Sequence, residues 1–344
     1  MVVDDSMVAR AVLSRMIEVD DGFEIVAVAG TAEDAITALG QVRVDIVLLD
    51  LEMPGAGGLK SIPKILAAAR GAKVLIVSSL AEEGAEETVA ALALGAADTL
   101  PKPGTGRFNG TFSEVLLAKL RALGRADMTG TARGPQPDVS VGSLRAMNEG
   151  PVKLLALGAS TGGIHALTGF FKELPPKIGA PILVTQHLPE PFMAVFARQL
   201  SAAAGREALV AEDGLRLLPD RIVIAPGDAS LAIEVSGGKL VARLVRERSV
   251  SGFLPSVDPM LASAGAMLGP EALGAVFSGM GRDGLAGAMA LVGAGGSVLV
   301  QDQASSAVWG MPRAVAEAGL ACGILPPVRM ARRIAHRIGD STCK

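Results

Sequence analysis

The chain has 344 residues, half of them hydrophobic and 19% charged, with a formal net charge of −3. That length and composition suit two packed cores, and they exclude a disordered chain. The slightly acidic balance excludes an electrostatic nucleic-acid binder, so no nucleic-acid partner is expected.

From the amino terminus, short β-branched runs alternate with amphipathic stretches. Val2–Asp4, Ile25–Ala29, Asp45–Asp50, Lys73–Ser78 and Ala97–Leu100 read as strands. Helical patterns lie around Met7–Val19, Ala32–Leu39, Leu59–Ala69, Glu83–Leu94 and Thr111–Leu123. Such βα units predict a flavodoxin-like, doubly wound parallel sheet of five strands over residues 1–123. The first strand begins almost at Met1, so it is expected either to be short or to have its true start upstream. Residues 124–150 lose periodicity and collect Gly, Pro, Ser, Thr and Asp, the composition of a flexible linker.

A second α/β pattern fills residues 151–344. Its strands are Val152–Leu157, Pro181–Thr185, Arg221–Ile224, Ser230–Val235, Leu240–Val245, Leu273–Phe277, Ser297–Val300 and Ala321–Leu325. A turn at Ser236-Gly237-Gly238 makes the middle pair a hairpin, so a doubly wound domain with a mixed sheet is expected. The uncharged run Gly284–Gln301 is interrupted by Gly293, Gly295 and Gly296. It reads as buried helix, turn and buried strand, with no membrane insertion. Arg329, Arg332, Arg333 and Arg337 recur at helical spacing and read as a solvated face. Cys322 and Cys343 fit no metal or redox spacing. Asp4 and Asp5 stand where a signal peptide needs basic residues, so a cytoplasmic location is expected.

Asp4 and Asp5 end the first strand, Asp50 the third and Ser78 the fourth, while Lys102 follows the fifth. In a parallel sheet these carboxyl ends share the edge where ligands bind. Carboxylates gathered there repel unless a cation neutralises them, and an all-oxygen set suits Mg²⁺. A carboxylate beside Mg²⁺ can attack a phosphoryl donor, and Lys102 and Ser78 can hold the product's oxygens.

Residues 1–123 resemble a response-regulator receiver domain. Val3-Asp4-Asp5-Ser6, Leu49-Asp50-Leu51-Glu52-Met53-Pro54, Val77-Ser78-Ser79 and Pro101-Lys102-Pro103 stand at that family's acidic pair, phosphoacceptor, hydroxyl and lysine. The resemblance implies phosphorylation on Asp50 by a histidine kinase. It also implies Mg²⁺ held by Asp5 and Asp50, with Asp4 acting through water. Thr99 replaces the family's common aromatic switch residue, and Gly57 stands where many members have Asp.

In the second domain, Gly158-Ala159-Ser160-Thr161-Gly162-Gly163 follows a strand and opens a helix expected to start at Thr161. The Gly-x-Ser-x-Gly spacing fits a nucleophile elbow, and the helix dipole favours negative charge near Ser160. A phosphate-cradling glycine turn fits the motif alone equally well. That rival predicts an acid at the end of the next strand, where Gln186-His187 stands instead. Of the three histidines, His165 lies in the helix after Ser160 and His336 in the basic terminal helix. Only His187 ends a strand beside Ser160, where a general base belongs. Asp283, in the loop after Leu273–Phe277, is the candidate to orient the imidazole. Its blander role is to cap a helix beginning at Gly284.

These residues, with Pro-Ser-Val-Asp at 255–258, Gly-Met-Gly-Arg-Asp-Gly at 279–284 and Trp-Gly-Met-Pro at 309–312, resemble the catalytic domain of chemotaxis protein-glutamate methylesterases. The resemblance implies Ser160 as nucleophile, His187 as general base and Asp283 as its partner. It places Thr161 and the Met280 N–H on the oxyanion side and asks no cofactor of the esterase chemistry. The implied substrates are glutamate methyl esters of methyl-accepting chemoreceptors, with glutamine deamidation as a second activity, under control of a chemotaxis histidine kinase. Phe253-Leu254 departs from the basic pair often found before the proline, which implies altered docking at the cleft mouth.

Overall fold

The structure is a computed structural model that describes residues 1–54, 57–78, 82–103, 110–128, 144–249 and 251–342. Ser79, Cys343 and most of the expected linker lie outside the described residues. The chain divides into two compact units, Met1–Gly134 and Pro135–Lys344.

In the first unit the strands are β1 (Val2–Val3), β2 (Val28–Ala29), β3 (Ile46–Leu49), β4 (Lys73–Ser78) and β5 (Asp98–Pro101). They alternate with α1 (Met7–Glu18), α2 (Ala32–Gln41), α3 (Gly58–Ala68), α4 (Glu82–Leu94) and α5 (Gly110–Met128). Strand order is β2-β1-β3-β4-β5, with every pairing parallel. All four residues of β3 are buried, as continuous apolar runs are when helices cover both faces of a sheet. The helix starts follow from capping side chains. Ser6 accepts from the Ala9 N–H and Thr31 from the Asp34 N–H, satisfying amides that lack intrahelical partners. Helix α5 runs on to Met128, past its expected end at Leu123.

The second unit holds β6 (Leu154–Ala159), α6 (Gly163–Glu173), β7 (Ile182–Gln186), α7 (Met193–Ala204), β8 (Ala208–Val210) and β9 (Ile222–Ile224). After these come the hairpin strands β10 (Ser230–Ser236) and β11 (Lys239–Val245), then α8 (Val257–Leu268). The chain closes with β12 (Ala272–Val276), α9 (Leu285–Gly293), β13 (Ser297–Gln301), α10 (Met311–Glu317), β14 (Ala321–Leu325) and α11 (Pro327–Thr342). Seven strands form one sheet in the order β14-β13-β12-β6-β7-β9-β8. Strand β8 escaped the sequence reading because three partly exposed residues are too short a run to signal an edge strand.

The expected mixed sheet resolves into two sheets. Its larger part is wholly parallel, and the antiparallel pair β10–β11 stands apart from it. Gly237 and Gly238 both take positive φ, at 57° and 73°, as the tight hairpin turn requires. One hairpin face, with Leu231, Ile233 and Ala242, packs into the core around Met260, Leu261 and Ala264 of α8. Burying that face on a helix separates the hairpin from the parallel strands.

Two further expectations change. Arg329, Arg332 and Arg333 are exposed, but Arg337 is buried and donates to the Gly150 carbonyl at 3.1 Å. Burial lowers the pKa of its guanidinium from the ordinary value. The linker's far end is also pinned, since the Arg145 N–H donates to Ala321 O at 3.0 Å and the Asn148 N–H to Ser297 Oγ at 3.1 Å. No helix of the described residues is long and apolar enough to cross a membrane.

Candidate functional site

Strand order places three loops side by side. Central β6 has β12 on one flank and β7 on the other; the chain leaves β6 toward β7 and leaves β12 toward β13, in opposite directions. A crevice opens at the carboxyl ends of such strands. Register levels the loops, with Ala159 opposite Gln186 and Val276 opposite Gly158. Ser160 and His187 each follow their paired residue directly, and Asp283 arrives through the loop after β12.

Ser160 is buried and sits in a sharp turn. Helix α6 starts at Gly163 rather than Thr161, with Gly162 as N-cap at φ +77°. A side chain at 162 would be strained, and its Cβ would lie 2.5 Å from that of Ala307. The turn is tied on several sides. The Ser160 N–H donates to Ser278 O at 3.0 Å, and Gln186 Nε2 donates to Ser160 O at 3.0 Å. Ser278 Oγ donates to Thr161 O at 2.6 Å. Gly279 passes so close that a Cβ there would stand 2.8 Å from Ser160 Cβ, which brings the loop carrying Met280 against the serine. The Met280 N–H makes no backbone hydrogen bond among the described residues.

His187 Nδ1 lies 3.1 Å from Ser160 Oγ, and His187 Nε2 lies 2.7 Å from Asp283 Oδ2. Ionised Asp283 only accepts, so it places the imidazole proton on Nε2 and leaves the Nδ1 lone pair facing the serine. His165 and His336 are exposed and take no part in this chain of contacts.

Asp283 does not cap α9, whose N-cap is Gly284. It serves the start of α8 instead. Its Oδ2 accepts from the Val257 N–H at 2.7 Å, and its Oδ1 accepts from Ser256 Oγ at 2.6 Å and Ser251 Oγ at 2.8 Å. Burial alone would raise this carboxyl, but the bonds from His187, Ser256 and Val257 outweigh it and hold the pKa at about 2. Neighbouring Asp258 goes the other way. Burial first, and then the charge of Asp283, push its carboxyl above the ordinary range. Ser256 and Gln186 stood in motifs of the sequence without a role, and Ser251 had no signal, because each acts across a loop remote in the chain.

The first unit carries a second cluster. Asp4 and Asp50 are buried and Asp5 is exposed, with carboxylate oxygens of all three within 4.8 Å of one another. Lys102 Nζ stands 2.6 Å from Asp50 Oδ2 and 3.0 Å from Asp4 Oδ2. The latter contact is out of line for a hydrogen bond, so buried Asp4 Oδ2 makes none. Burial raises the Asp50 carboxyl, and the bond and charge of Lys102 only partly counter it. Burial would lower the Lys102 ammonium, but Asp50 and Asp4 outweigh that and raise it. One ammonium against three carboxylates leaves the cluster short of positive charge, so the donor set fits a hard divalent cation. Ser78 is fully buried, and its hydroxyl pairs with Thr88 Oγ1 of α4 at 2.6 Å rather than with the acids. Thr99 is buried in β5.

Fold and clusters together define a two-unit regulator, with an acidic receiver-type pocket in one α/β unit and a serine–histidine–aspartate site in the other. Residues 1–107 match the response regulator receiver domain profile, and residues 155–334 match that of the CheB methylesterase. The chain is 37% identical to a protein-glutamate methylesterase/protein-glutamine glutaminase of Paramagnetospirillum magneticum, over 95% of this chain and 92% of the relative. It is 38% identical to one of Caulobacter vibrioides, over 98% of each. The crystal structure of the Thermotoga maritima CheB methylesterase catalytic domain is similar over 54% of this chain and 98% of its own, with 32% identity and a TM-score of 0.52. The chain belongs to the CheB methylesterase family.

Proposed function

We propose that this chain is a cytoplasmic protein-glutamate methylesterase, switched by phosphorylation, that acts on glutamate γ-methyl esters of methyl-accepting chemoreceptors. The observation that carries the reading is the continuous contact from Ser160 Oγ through His187 to Asp283 at adjacent strand ends. His187 Nδ1 takes the Ser160 proton as Oγ attacks the ester carbonyl. Thr161 and the Met280 N–H are assigned to the side of the developing oxyanion, where such donors are worth about 10²–10³ in rate. The C–O bond to the methoxy group then breaks, and methanol leaves with the proton from Nδ1. Water, deprotonated by the same nitrogen, attacks the acyl-enzyme and releases the glutamate and free Ser160. A glutamine γ-carboxamide follows the same course with ammonia as leaving group, which makes deamidation the second activity. No step calls for a cofactor.

Control is assigned to the first unit. Asp50 is the phosphoacceptor, supplied by a chemotaxis histidine kinase. Asp5 and Asp50 would hold Mg²⁺, with Asp4 acting through water. When bound, Mg²⁺ neutralises the carboxylates and the incoming phosphoryl oxygens. Lys102 is placed to hold one of those oxygens, and Ser78 can offer its hydroxyl only by leaving Thr88.

The test is methanol release from methylated receptor membranes, with and without a small acyl phosphate. Release by the full chain should rise with the phosphodonor and vanish in Ser160→Ala. Undiminished release from Ser160→Ala would overturn the assignment.

A further inference from the structure

The imidazole of His187 spends its two ring nitrogens on Ser160 and Asp283, and its face is covered by another ring. Phe253, in the loop from β11 to α8, stacks on it with centroids 4.3 Å apart and planes at 14°. The phenyl ring also reaches the oxyanion-side loop, since a Cβ at Gly281 would stand 3.5 Å from Phe253 Cε2. One side chain therefore stacks on the candidate base and lies beside the loop carrying Met280. Its own position is anchored on either side. Ser251 and Ser256 both donate to Asp283 Oδ1, at 2.8 and 2.6 Å, so the segment bearing Phe253 is tied to the same carboxylate that orients the imidazole.

We propose that Phe253 is a positioning residue of the esterase reaction, fixing the plane of His187 and favouring the charge the imidazole acquires when Ser160 attacks. This rests on the proposed Ser160–His187–Asp283 mechanism. Tilting the imidazole out of plane would misalign both of its hydrogen bonds at once, and a parallel ring at van der Waals distance resists that tilt. The π face carries partial negative charge, so it attracts an imidazolium more strongly than a neutral imidazole. That difference is realised only as the proton moves, and interactions of that kind raise kcat without tightening substrate binding. The sequence suggested altered docking at the cleft mouth for this residue; the stacking assigns it to the base instead.

The experiment compares full-length wild type with Phe253→Leu, Phe253→Tyr and Ser160→Ala. It measures methanol release from methylated receptor membranes with phosphodonor, and the labelling rate of Ser160 by a fluorophosphonate probe. Phe253→Leu should lower kcat about tenfold, equivalent to about 1.4 kcal/mol, with KM moving less than about twofold. Probe labelling, which needs the activated serine but no receptor, should slow in parallel. Phe253→Tyr, which keeps the ring, should recover most of the loss. In folded wild type the His187 ring protons should resonate upfield under the phenyl ring current, and Phe253→Leu should remove that shift. Unchanged kcat and labelling in Phe253→Leu would overturn the proposal, as would a rise in KM alone, which would make Phe253 a docking residue. Ser160→Ala separates the two levels. If it still releases methanol or takes the probe, the mechanism itself fails; if it is inert while Phe253→Leu is fully active, only the role of Phe253 fails.

Discussion

Asp50 and Asp283 occupy comparable places, each beyond a central strand of a parallel sheet in its own unit, yet their surroundings give them opposite chemistry. Asp283 is surrounded by donors: His187, Ser251, Ser256 and the Val257 N–H. Its lone pairs are committed, so it is a fixed charge that orients a neighbour. Asp50 receives Lys102 and the Glu52 N–H, and its burial is not compensated. A carboxylate left short of donors beside two others is one that gains from a cation and a phosphoryl group. The number of donors turned toward each carboxylate, rather than its place in the sheet, separates an orienting aspartate from a reactive one.

The comparison can be broken most directly by removing each charge. Asp283→Asn should cut methanol release by about 10⁴-fold, because an amide can present its NH₂ to Nε2 and stabilise the wrong tautomer. It should also destabilise the second unit, because the Val257 N–H loses its acceptor while Ser256 and Ser251 donate to an uncharged amide oxygen. Asp50→Asn should abolish labelling by an acyl phosphate and the stimulation that follows, without destabilising the first unit at neutral pH. Denaturant unfolding of both variants checks this, and equal destabilisation would erase the distinction.

Acid sharpens the same contrast through opposite signs. The Asp283 carboxyl is depressed, so its stabilising contribution is complete above about pH 4 and is lost as pH falls toward its folded value near 2. The full loss is about 2 kcal/mol. The raised Asp258 carboxyl opposes this, because protonating it on the way down removes the cost of burying its charge and then the repulsion from Asp283. Asp50 is raised as well, so its protonation favours the first unit. The chain contains a single tryptophan and no tyrosine, and Trp309 lies in the second unit. Its fluorescence therefore follows the second unit alone, and in Asp283→Asn the Asp283-linked loss between pH 4 and 2 should be missing.

A smaller effect is expected from Ser256→Ala. The hydroxyl donates to Asp283 Oδ1 and accepts from the Asp258 N–H as N-cap of α8. Losing both should cost about 1–2 kcal/mol of second-unit stability. Methanol release should fall much less than in Asp283→Asn, since the bond from His187 Nε2 survives.

The sequence by itself determined whatever depends on neighbours along the chain. Periodicity and strand-ending polar residues located β4 and β14 at their observed limits, and most other elements to within a few residues. The parallel α/β pattern was enough to expect Asp4, Asp5, Asp50 and Lys102 at one edge and Ser160, His187 and Asp283 at another, because successive strands in such sheets end on the same side. Turn chemistry announced the β10–β11 hairpin through Gly237 and Gly238. Only the tertiary structure decided what arises between residues far apart in sequence. The hairpin forms its own sheet because its apolar face finds α8. Asp283 serves the start of α8 rather than α9 because the loop after β12 delivers it there. Arg337 leaves the solvated face of α11 to reach the Gly150 carbonyl, and Phe253 stacks on His187. These contacts have no period and no local motif. They follow from how the packed layers align, and a polar or aromatic side chain at a loop gives no sign along the chain of which layer it will meet.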